Sequence, residues 1–390
     1  MADWNAKIHI LPANAGDCFL IEFNNNECIL IDTGFKETYY NYLKPLLIEL
    51  KKIGKKITLL VITHIDKDHI GGAKRLLEEN GDYNNPNIIK IENIWFNGFK
   101  NLVFQKKSSD TFDTLNQKQL DKMRIIKANN RMNYIDEMDN NVSASDLKSF
   151  ETICNELNYP INRQFIDNTV IQSEDIEIGN VSIDVISPNK LKIEKYTMYL
   201  EKQLEILFGK DYEINKNEEF MTFFETLMLN DEENIQTTEA ISYQNEEDIA
   251  DWLKINHKNK IYSIVNDVSI GILIKFNDIK MLFTGDLYFE KKYINEKALM
   301  VDVLKVPHHG SYWNNCEIMK NFIANNYIIS TDGKKYGHPD KNILANIITN
   351  NKQNKTMIFN YEIDSINILK NQEQKDKYNY EYIIGNELII

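Results

Sequence analysis

The chain has 390 residues, 43% of them apolar, and a formal net charge of −13. This length allows one large domain or two ordinary ones, and the apolar fraction suffices for a sizeable core. The negative charge argues against indiscriminate polyanion binding, because phosphate contacts need lysine and arginine. The sequence shows no signal-peptide pattern, no apolar run of transmembrane length and no CxxC spacing among its four cysteines. A reduced, cytoplasmic protein without a membrane partner is therefore expected.

The first hundred residues predict short strands interspersed with two helices. The helices are expected at 38–53 and from Gly71 to Glu79, and the turn at 24–26 is expected to join two strands as a hairpin. The predicted strands span 7–11, 18–23, 28–31, 57–63 and 88–96.

Two longer stretches interrupt this rhythm and are interpreted as helical insertions. The first, 97–160, is most regular at 117–133, and its part 100–131 has eight Lys/Arg against three Asp/Glu, a net +5. The second, 189–265, shows helical periods at 196–208 and 218–229. It is acidic, with nine Lys/Arg against sixteen Asp/Glu, a net −7. A strand is predicted between them at 181–187.

The strand rhythm resumes with 269–276 and 280–284, which are predicted to form a second hairpin. A C-terminal extension, 361–390, has strand-like ends around a predicted loop at 372–377. Further strands are predicted at 304–307, 328–331 and 357–360, with helices at 315–324 and 342–350. Two β-rich halves followed by helices predict one α/β domain over 1–390, with two sheets covered by helices on both sides.

The run His-Ile-Asp-Lys-Asp-His-Ile-Gly-Gly at 64–72 is the most informative motif. It places His64, Asp66, Asp68 and His69 directly after a predicted buried strand. Imidazole nitrogen with carboxylate oxygen suits zinc, manganese or iron better than calcium or magnesium. The alternative is a polar loop with Asp68 near the N-terminus of a helix, which explains one acidic residue but not the whole run.

Other histidines and aspartates also follow predicted strands. Rigid sheet edges fix ligand geometry, so strand-end loops are where a buried metal centre is expected. Of the seven histidines, His9 and His257 lie outside such motifs and are interpreted as structural. The additional strand-end candidates are Asp32, Asp286, His308, His309 and His338.

The ordered motifs resemble a known family. Asp-Thr-Gly at 32–34, the run at 64–72 and Thr-Gly-Asp at 284–286 resemble the signature series of the metallo-β-lactamase fold hydrolases. The resemblance implies a four-layer αββα sandwich, here with the two helical insertions.

Three further details resemble the branch typified by the C-terminal domain of the DNA-uptake protein ComEC. They are Asp66 in place of a histidine, Lys-Val-Pro-His-His-Gly-Ser at 305–311, and Tyr-Gly-His-Pro at 336–339. The resemblance covers the stretches near 1–96 and 180–345.

Carried over residue by residue, the resemblance implies two divalent metal ions, zinc or manganese. His64 and Asp66 then belong to the first metal site, Asp68 and His69 to the second, and Asp286 bridges the two. Two dications of this kind hold a hydroxide at neutral pH and polarise a carbonyl or phosphoryl group, so the implied reaction is hydrolysis.

The remaining roles follow from the same resemblance. One histidine of the pair His308-His309 closes the second site, with His309 taken as the ligand. Asp68 is expected to orient the attacking hydroxide as well as to ligate. His308 or His338 is expected to donate a proton or stabilise the developing oxyanion, and His338 is alternatively a further ligand or a contact to the leaving phosphate.

Three residues are expected to support the site rather than to bind metal. Asp32 is expected to orient a histidine by hydrogen bonding. Ser311 is expected to contact phosphate or to cap a helix. The family supplies another histidine before the Thr-Gly-Asp strand, where this chain has Asn266 or Asp267. The first metal site is therefore expected to be weaker, lower in coordination or suited to manganese.

Substrate is less constrained by the sequence, because the fold hosts many hydrolases. The ComEC-like details favour a phosphodiesterase or nuclease acting on DNA or RNA, with Lys118, Lys122 and Lys127 as a phosphate-binding surface or simply a solvated helix face. The insertions are candidate surfaces for a partner protein, as for freestanding ComEC-like hydrolases of defence systems. The alternatives are a hydrolase of small-molecule or lipid-head-group esters, phosphorylcholine-esterase-like or lactonase-like, and a non-catalytic binding protein with a degenerate site.

Overall fold

Two β-sheets organise the chain, and they are seen in a computed structural model together with the helices that cover them. The structure describes residues 4–104, 117–134, 148–209, 218–230, 248–255, 262–289, 298–350 and 352–390. Within these ranges, no helix has both the length and the apolar character needed to cross a membrane.

The first sheet has the strand order β14-β1-β2-β3-β4-β5. Its strands are β1 Ala6–Ile10, β2 Phe19–Phe23, β3 Glu27–Ile31, β4 Lys56–Val61, β5 Ile94–Trp95 and β14 Glu387–Ile389. β2 and β3 form the predicted antiparallel hairpin, whereas β3, β4 and β5 run parallel. The carboxyl ends of β3 and β4 therefore lie at one edge of the sheet.

The second sheet has the order β13-β12-β11-β10-β9-β8-β7-β6. Its strands are β6 Ser173–Ile178, β7 Val181–Ser187, β8 Gly271–Phe276, β9 Ile279–Phe283, β10 Leu299–Lys305, β11 Phe322–Ile329, β12 Lys355–Phe359 and β13 Tyr380–Ile384. β8 and β9 form the second predicted hairpin. β9 to β13 run parallel, so their carboxyl ends share an edge as well.

Helices cover the outer faces of both sheets. A π-helical turn at Tyr39–Leu43 joins α1 to α2, and single 3₁₀ turns occur at Ile166–Asn168 and Pro307–Gly310. The α-helices of the described residues are α1 Lys36–Thr38, α2 Lys44–Lys52, α3 Lys67–Ile70, α4 Ala73–Asn80, α5 Phe99–Phe104, α6 Gln117–Tyr134, α7 Phe150–Glu156, α8 Lys190–Phe208, α9 Glu218–Asn230, α10 Ile249–Trp252, α11 Ile264–Asp267, α12 Tyr312–Asn315, α13 Ile318–Asn321, α14 Lys341–Thr349, α15 Ile366–Leu369 and α16 Gln372–Tyr378.

Alternation of apolar side chains along the strands produces the layers. In β4, Leu59 and Val61 face the space between the sheets, whereas Leu60 packs against the helices outside. Successive strand side chains point to opposite faces, so a fully apolar strand is buried on both. The sheets meet through aromatic contacts such as Phe19 with Phe283, at 5.4 Å between ring centroids. The predicted four-layer αββα sandwich is thereby confirmed.

The two helical insertions pack against each other on the outer side of the first sheet. Phe99 of α5 contacts Phe224 of α9, with ring centroids 4.5 Å apart. The backbone amide of Ser149 donates to the hydroxyl of Thr222 at 3.0 Å. Residues of both insertions belong to the same apolar cluster as Leu60, so they extend one helical layer of the sandwich.

The structure corrects three sequence predictions. The strand predicted at 88–96 is reduced to β5, because the carboxamide oxygen of Asn80 accepts hydrogen bonds from the amides of Ile88 and Ile89 that a ladder would use. The helix predicted at 315–324 gives way to strand β11 from Phe322, where parallel pairing with β10 overrides local propensity. The loop predicted at 372–377 is helix α16, whose first turn is capped by the side chain of Asn371.

The C-terminal residues tie the two sheets together. β13 adds an edge strand to the second sheet, and β14, which follows directly, pairs antiparallel with β1 in the first. The predicted C-terminal extension therefore supplies one strand to each sheet.

Candidate metal centre

Strand ends of both sheets deliver the candidate ligands to one place. Asp32 follows β3, and His64 comes shortly after β4 in the first sheet. Asp286 follows β9 and the pair His308-His309 follows β10 in the second. Because these strands end at facing edges, residues far apart in sequence meet there.

The side chains converge on the carboxylate of Asp286. Its Oδ2 lies 3.5 Å from Nε2 of His69, 3.6 Å from Nε2 of His308 and 3.7 Å from Nε2 of His309. Among the described residues, three groups of candidate ligand atoms each lie within 4.8 Å of one another. They are His64, His69 and Asp286; Asp68, His69 and His309; and Asp17, Asp32 and His69.

Several of these converging atoms are buried without a hydrogen-bond partner in the described part of the chain. They are Nε2 of His64, His69 and His309 and Oδ1 of Asp286. Buried polar atoms are normally satisfied, so several unsatisfied atoms of the types that ligate metals, gathered at one point, indicate a missing ligand. Imidazole nitrogens with carboxylate oxygens fit a dication of the zinc or manganese type.

Hydrogen bonds at the outer nitrogen fix the tautomers of His69 and His309. Nδ1 of His69 lies 2.8 Å from Oδ2 of Asp32, and Nδ1 of His309 lies 2.7 Å from the backbone carbonyl oxygen of Ser330. A carbonyl oxygen and a carboxylate can only accept, so each Nδ1 carries the proton. The inner Nε2 atom of each neutral ring then presents a lone pair to the centre, the arrangement typical of metal-binding histidines.

The tautomers of His308 and His64 follow in the same way, from a second hydrogen bond made by the partner of each ring. The amide nitrogen of Asn314 donates to the backbone oxygen of Asp286, so its Oδ1 accepts from Nδ1 of His308 at 2.9 Å. The hydroxyl of Thr63 donates to Asp32, so its oxygen accepts from Nδ1 of His64 at 2.9 Å. In its neutral form, each of these four imidazoles therefore presents its Nε2 lone pair to the site.

Burial and charge set the protonation of the cluster. Burial opposes a charge on His69, but the carboxylates of Asp286 and Asp32 together outweigh it and raise its pKa well above the usual range. Burial lowers the pKa of His309 to about 3. Burial opposes ionisation of Asp286, yet the surrounding histidines hold its pKa well below the usual value. The carboxylate is thus charged, and a dication must displace the proton held by His69.

An ion pair beneath the cluster escaped the sequence predictions. The ammonium of Lys305 contacts the carboxylate of Asp17, and it also lies 3.6 Å from Oδ1 of Asp286. Asp17 in turn lies 3.6 Å from Nδ1 of His309. Neither residue was assigned a role from the sequence, because their pairing depends on the meeting of the two sheets.

The acidic residues of the run at 64–72 occupy different places. Asp66 precedes α3 and its Oδ2 lies 3.2 Å from Nε2 of His64, although not in hydrogen-bonding geometry. Asp68 lies in the first turn of α3 and belongs to the group with His69 and His309. Asp66 stands at the N-cap position, and Asp68 also lies near the N-terminus of the helix, where the alternative interpretation puts it. Gly16 packs closely on Asp68: a Cβ atom added at Gly16 would lie 2.1 Å from the backbone carbonyl oxygen of Asp68.

The supporting residues are placed as follows. Asp32 accepts from the amide and the hydroxyl of Thr63 besides contacting His69, so its geometry is compatible with the predicted orienting role. Asn266 is buried in α11, and its carboxamide oxygen has no hydrogen-bond partner among the described residues. Asp267, the other residue at that place, binds the ammonium of Lys192 at 2.6 Å instead. Ser311 stands at the N-cap of α12 without a capping hydrogen bond from its side chain.

The remaining predicted residues lie outside the convergent groups. The ring of His338 lies edge-on to the ring of His308, with centroids 5.7 Å apart. Nδ1 of His338 is 3.5 Å from Asp340. Lys118 and Lys122 are on α6, where Lys118 is exposed. The side chain of Lys127 lies outside the described residues. These three lysines therefore remain a prediction.

Of the two histidines interpreted as structural, His9 lies among the described residues and His257 does not. His9 is buried with Nε2 at 3.3 Å from Glu22, away from the cluster.

The comparison with family sequence models agrees with the fold. The sequence model described as "Metallo-beta-lactamase superfamily" matches residues 11–129. No curated protein has a matching sequence. Among solved structures, a match is the "metallo-beta-lactamase fold protein YhfI from Bacillus subtilis". It has 8% sequence identity and a TM-score of 0.39, with 100% of both chains covered. Over residues 11–129 the chain is similar to the metallo-β-lactamase superfamily, and its two-sheet αββα architecture is that of the metallo-β-lactamase fold, with a candidate His/Asp metal-binding cluster.

Proposed function

We propose that the protein is a metal-dependent phosphodiesterase that cleaves single-stranded DNA or RNA, of the ComEC-like kind. The observation that carries the proposal is the convergence of three unsatisfied imidazole nitrogens on the carboxylate of Asp286. Such a cluster is what a hydrolase needs to hold divalent ions, and the site has the residues for two of them.

The proposed ligands fall into two overlapping sets. His64, Asp66 and Asp286 would hold one ion, and Asp68, His69 and His309 the other, with Asp286 shared. Bound ions would supply Lewis acidity toward a phosphoryl oxygen and lower the pKa of water. Zinc and manganese both suit this mixture of nitrogen and oxygen donors.

The side chains of the chain itself would do the remaining work. Asp68 would orient the attacking water, whose oxygen forms the new bond to phosphorus. His338 would deliver a proton to the departing oxygen as the ester bond breaks, because it lies beside His308 but outside the ligand groups. Asp340, 3.5 Å from Nδ1 of His338, would orient that ring.

Hydrolysis of two substrates tests the proposal. The protein is stripped with a chelator, reloaded with manganese or zinc, and assayed on a single-stranded oligonucleotide and on bis-p-nitrophenyl phosphate. Metal-dependent cleavage of the oligonucleotide, lost in His69→Ala and kept in the control His9→Gln, is the expected result. Turnover of the small ester without strand cleavage would instead favour a small-molecule esterase, and inactivity in a protein that binds no metal would leave a non-catalytic role.

A further inference from the structure

The site opens to solvent on one side. His69, His64 and His309 are almost fully buried, at 0%, 1% and 1% side-chain exposure, whereas His308 and His338 are 24% and 12% exposed. A substrate therefore reaches the cluster past His308 and His338.

Residues 332–340, here called the mouth loop, lie at this opening and are held at both ends. The amide of Asp332 donates to the backbone oxygen of Asn14 at 3.0 Å. At the other end, the amide of Asp340 donates to the oxygen of Gly310 at 3.0 Å, and the carboxylate of Asp340 accepts from the amide of Tyr312 at 2.7 Å. The loop is thus fixed next to the His308-His309 pair.

Rings line the loop from the cluster outward. The ring of His338 lies between His308, at 5.7 Å, and Tyr336, at 6.1 Å between centroids. The ammonium of Lys335 lies 4.9 Å from the centroid of the Tyr336 ring. Tyr336 is half-buried and Lys335 is exposed, so the row ends at the surface with an aromatic face and a cation.

Energetics favour a nucleobase over the lysine on that ring. An exposed cation–π contact is weak. Stacking of a nucleobase on an aromatic side chain is stronger. A base that reaches Tyr336 can therefore displace the ammonium, which is then positioned for the adjacent phosphate. Within the mouth loop, the ammonium of Lys334 lies 3.9 Å from the carboxylate of Asp332, and Lys335 is the lysine whose ammonium lies over the Tyr336 ring.

We propose that Tyr336 and Lys335 form a nucleotide subsite for a single-stranded nucleic acid, Tyr336 stacking one base and Lys335 contacting the neighbouring phosphate. This inference rests on the proposed phosphodiesterase function and specifies how a strand, rather than a small ester, is held. Tyr336 thereby determines selectivity and takes no part in bond cleavage.

Steady-state kinetics of the metal-loaded full chain test the subsite. The substrates are a fluorescent single-stranded oligonucleotide, the same strand with an abasic unit, and bis-p-nitrophenyl phosphate. In Tyr336→Ala, the ratio of kcat/KM for the oligonucleotide to that for the small ester is expected to fall about tenfold, mainly through KM, as about 1.4 kcal/mol of lost stacking predicts. Tyr336→Phe should keep the ratio, and Lys335→Gln should lower it and weaken its salt dependence.

A matched pair elsewhere provides the control. Lys375 lies 4.8 Å from the ring centroid of Tyr382 in β13, away from the mouth loop, so Tyr382→Ala and Lys375→Gln should leave the ratio unchanged. Melting temperatures of all variants identify any that misfold.

The outcomes separate the two proposals. If the wild type cleaves the oligonucleotide but Tyr336→Ala keeps the wild-type ratio, the subsite is overturned and the phosphodiesterase function stands. If the wild type prefers the abasic strand, stacking on Tyr336 is likewise overturned. Absence of any strand cleavage by the wild type overturns both.

Discussion

The ammonium of Lys305 forms an ion pair with the carboxylate of Asp17, and both side chains are 1% exposed. Removing one partner of a buried pair leaves the other charge uncompensated, which costs about 3–5 kcal/mol. We therefore expect Lys305→Met and Asp17→Asn each to lower the free energy of unfolding by about that amount in urea titrations with a chelator present. The double variant should lose less than the sum of the two, because no unpaired charge remains.

The exposed pair of Lys52 and Glu49 is the control for this cycle. Its side chains are 63% and 68% exposed, and a pair at the surface contributes about 0–1 kcal/mol. Strictly additive losses in the Asp17/Lys305 cycle would show that the two charges do not stabilise each other.

Metal binding should stabilise the fold. A dication that binds the native cluster alone adds about 2.7 kcal/mol at a free concentration 100 times its Kd. The melting temperature of the chelator-treated protein is therefore expected to rise on addition of zinc or manganese. His309→Ala, which removes a ligand of only one of the two proposed ions, should show a smaller rise, whereas His9→Gln, outside the cluster, should keep the wild-type rise. An equal rise in His309→Ala would place the metal elsewhere.

Asp32 is expected to control metal affinity without contacting the ion. Its carboxylate accepts from Nδ1 of His69 at 2.8 Å and so keeps the Nε2 lone pair toward the site. Loss of such an orienting partner typically reduces metal affinity about 10–100-fold. Isothermal titration of Asp32→Asn with metal should give a loss in this range. Asp184→Asn, a carboxylate remote from the site, should bind as the wild type does, and a wild-type Kd for Asp32→Asn would contradict the orienting role.

Glu151 should make stability depend on pH. Burial, opposed by the amide of Lys100 and supported by the charge of Glu225, raises the pKa of Glu151 from 4.5 to about 7. Between these values the folded state binds more protons than the unfolded state, so the free energy of unfolding falls as pH rises, by about 3 kcal/mol in full.

Urea titrations from pH 4.5 to 8 check this sign. The wild type should lose stability across this window more steeply than Glu151→Gln, in which the titrating group is absent. Glu156→Gln, an exposed position on the same helix, should keep the wild-type slope. Parallel slopes for wild type and Glu151→Gln would contradict the prediction.

The lysines of α6 can be tested against the mouth loop. If Lys118 and Lys122 bind the phosphate backbone, Lys118→Glu with Lys122→Glu should weaken oligonucleotide binding and flatten its dependence on salt. Fluorescence anisotropy at several salt concentrations measures both. Unaltered affinity and slope would show that this helix face is only solvated, as the alternative interpretation holds.

Local patterns explain why much of the fold was predictable. Strands β3, β4 and β9 are mostly apolar and are followed closely by Asp32, His64 and Asp286, and both hairpins carry turn residues, so periodicity and turn chemistry identified them. The strand predicted at 88–96 is wrong in its first part because the side chain of Asn80 accepts hydrogen bonds from two backbone amides there. A strand would have donated those amides to a neighbouring strand. Such competition is invisible in a one-dimensional pattern.

By itself, the sequence determined the four-layer class and which residue types gather near the cluster, because ligands at strand ends follow from local order. The tertiary structure alone decided how they are arranged. It placed Lys305 against Asp17, turned Asn314 so that His308 presents Nε2, and set Tyr336 beside His338 at the open side. These relations arise where the edges of two sheets meet, and the contacts between distant segments depend on packing that no local pattern encodes.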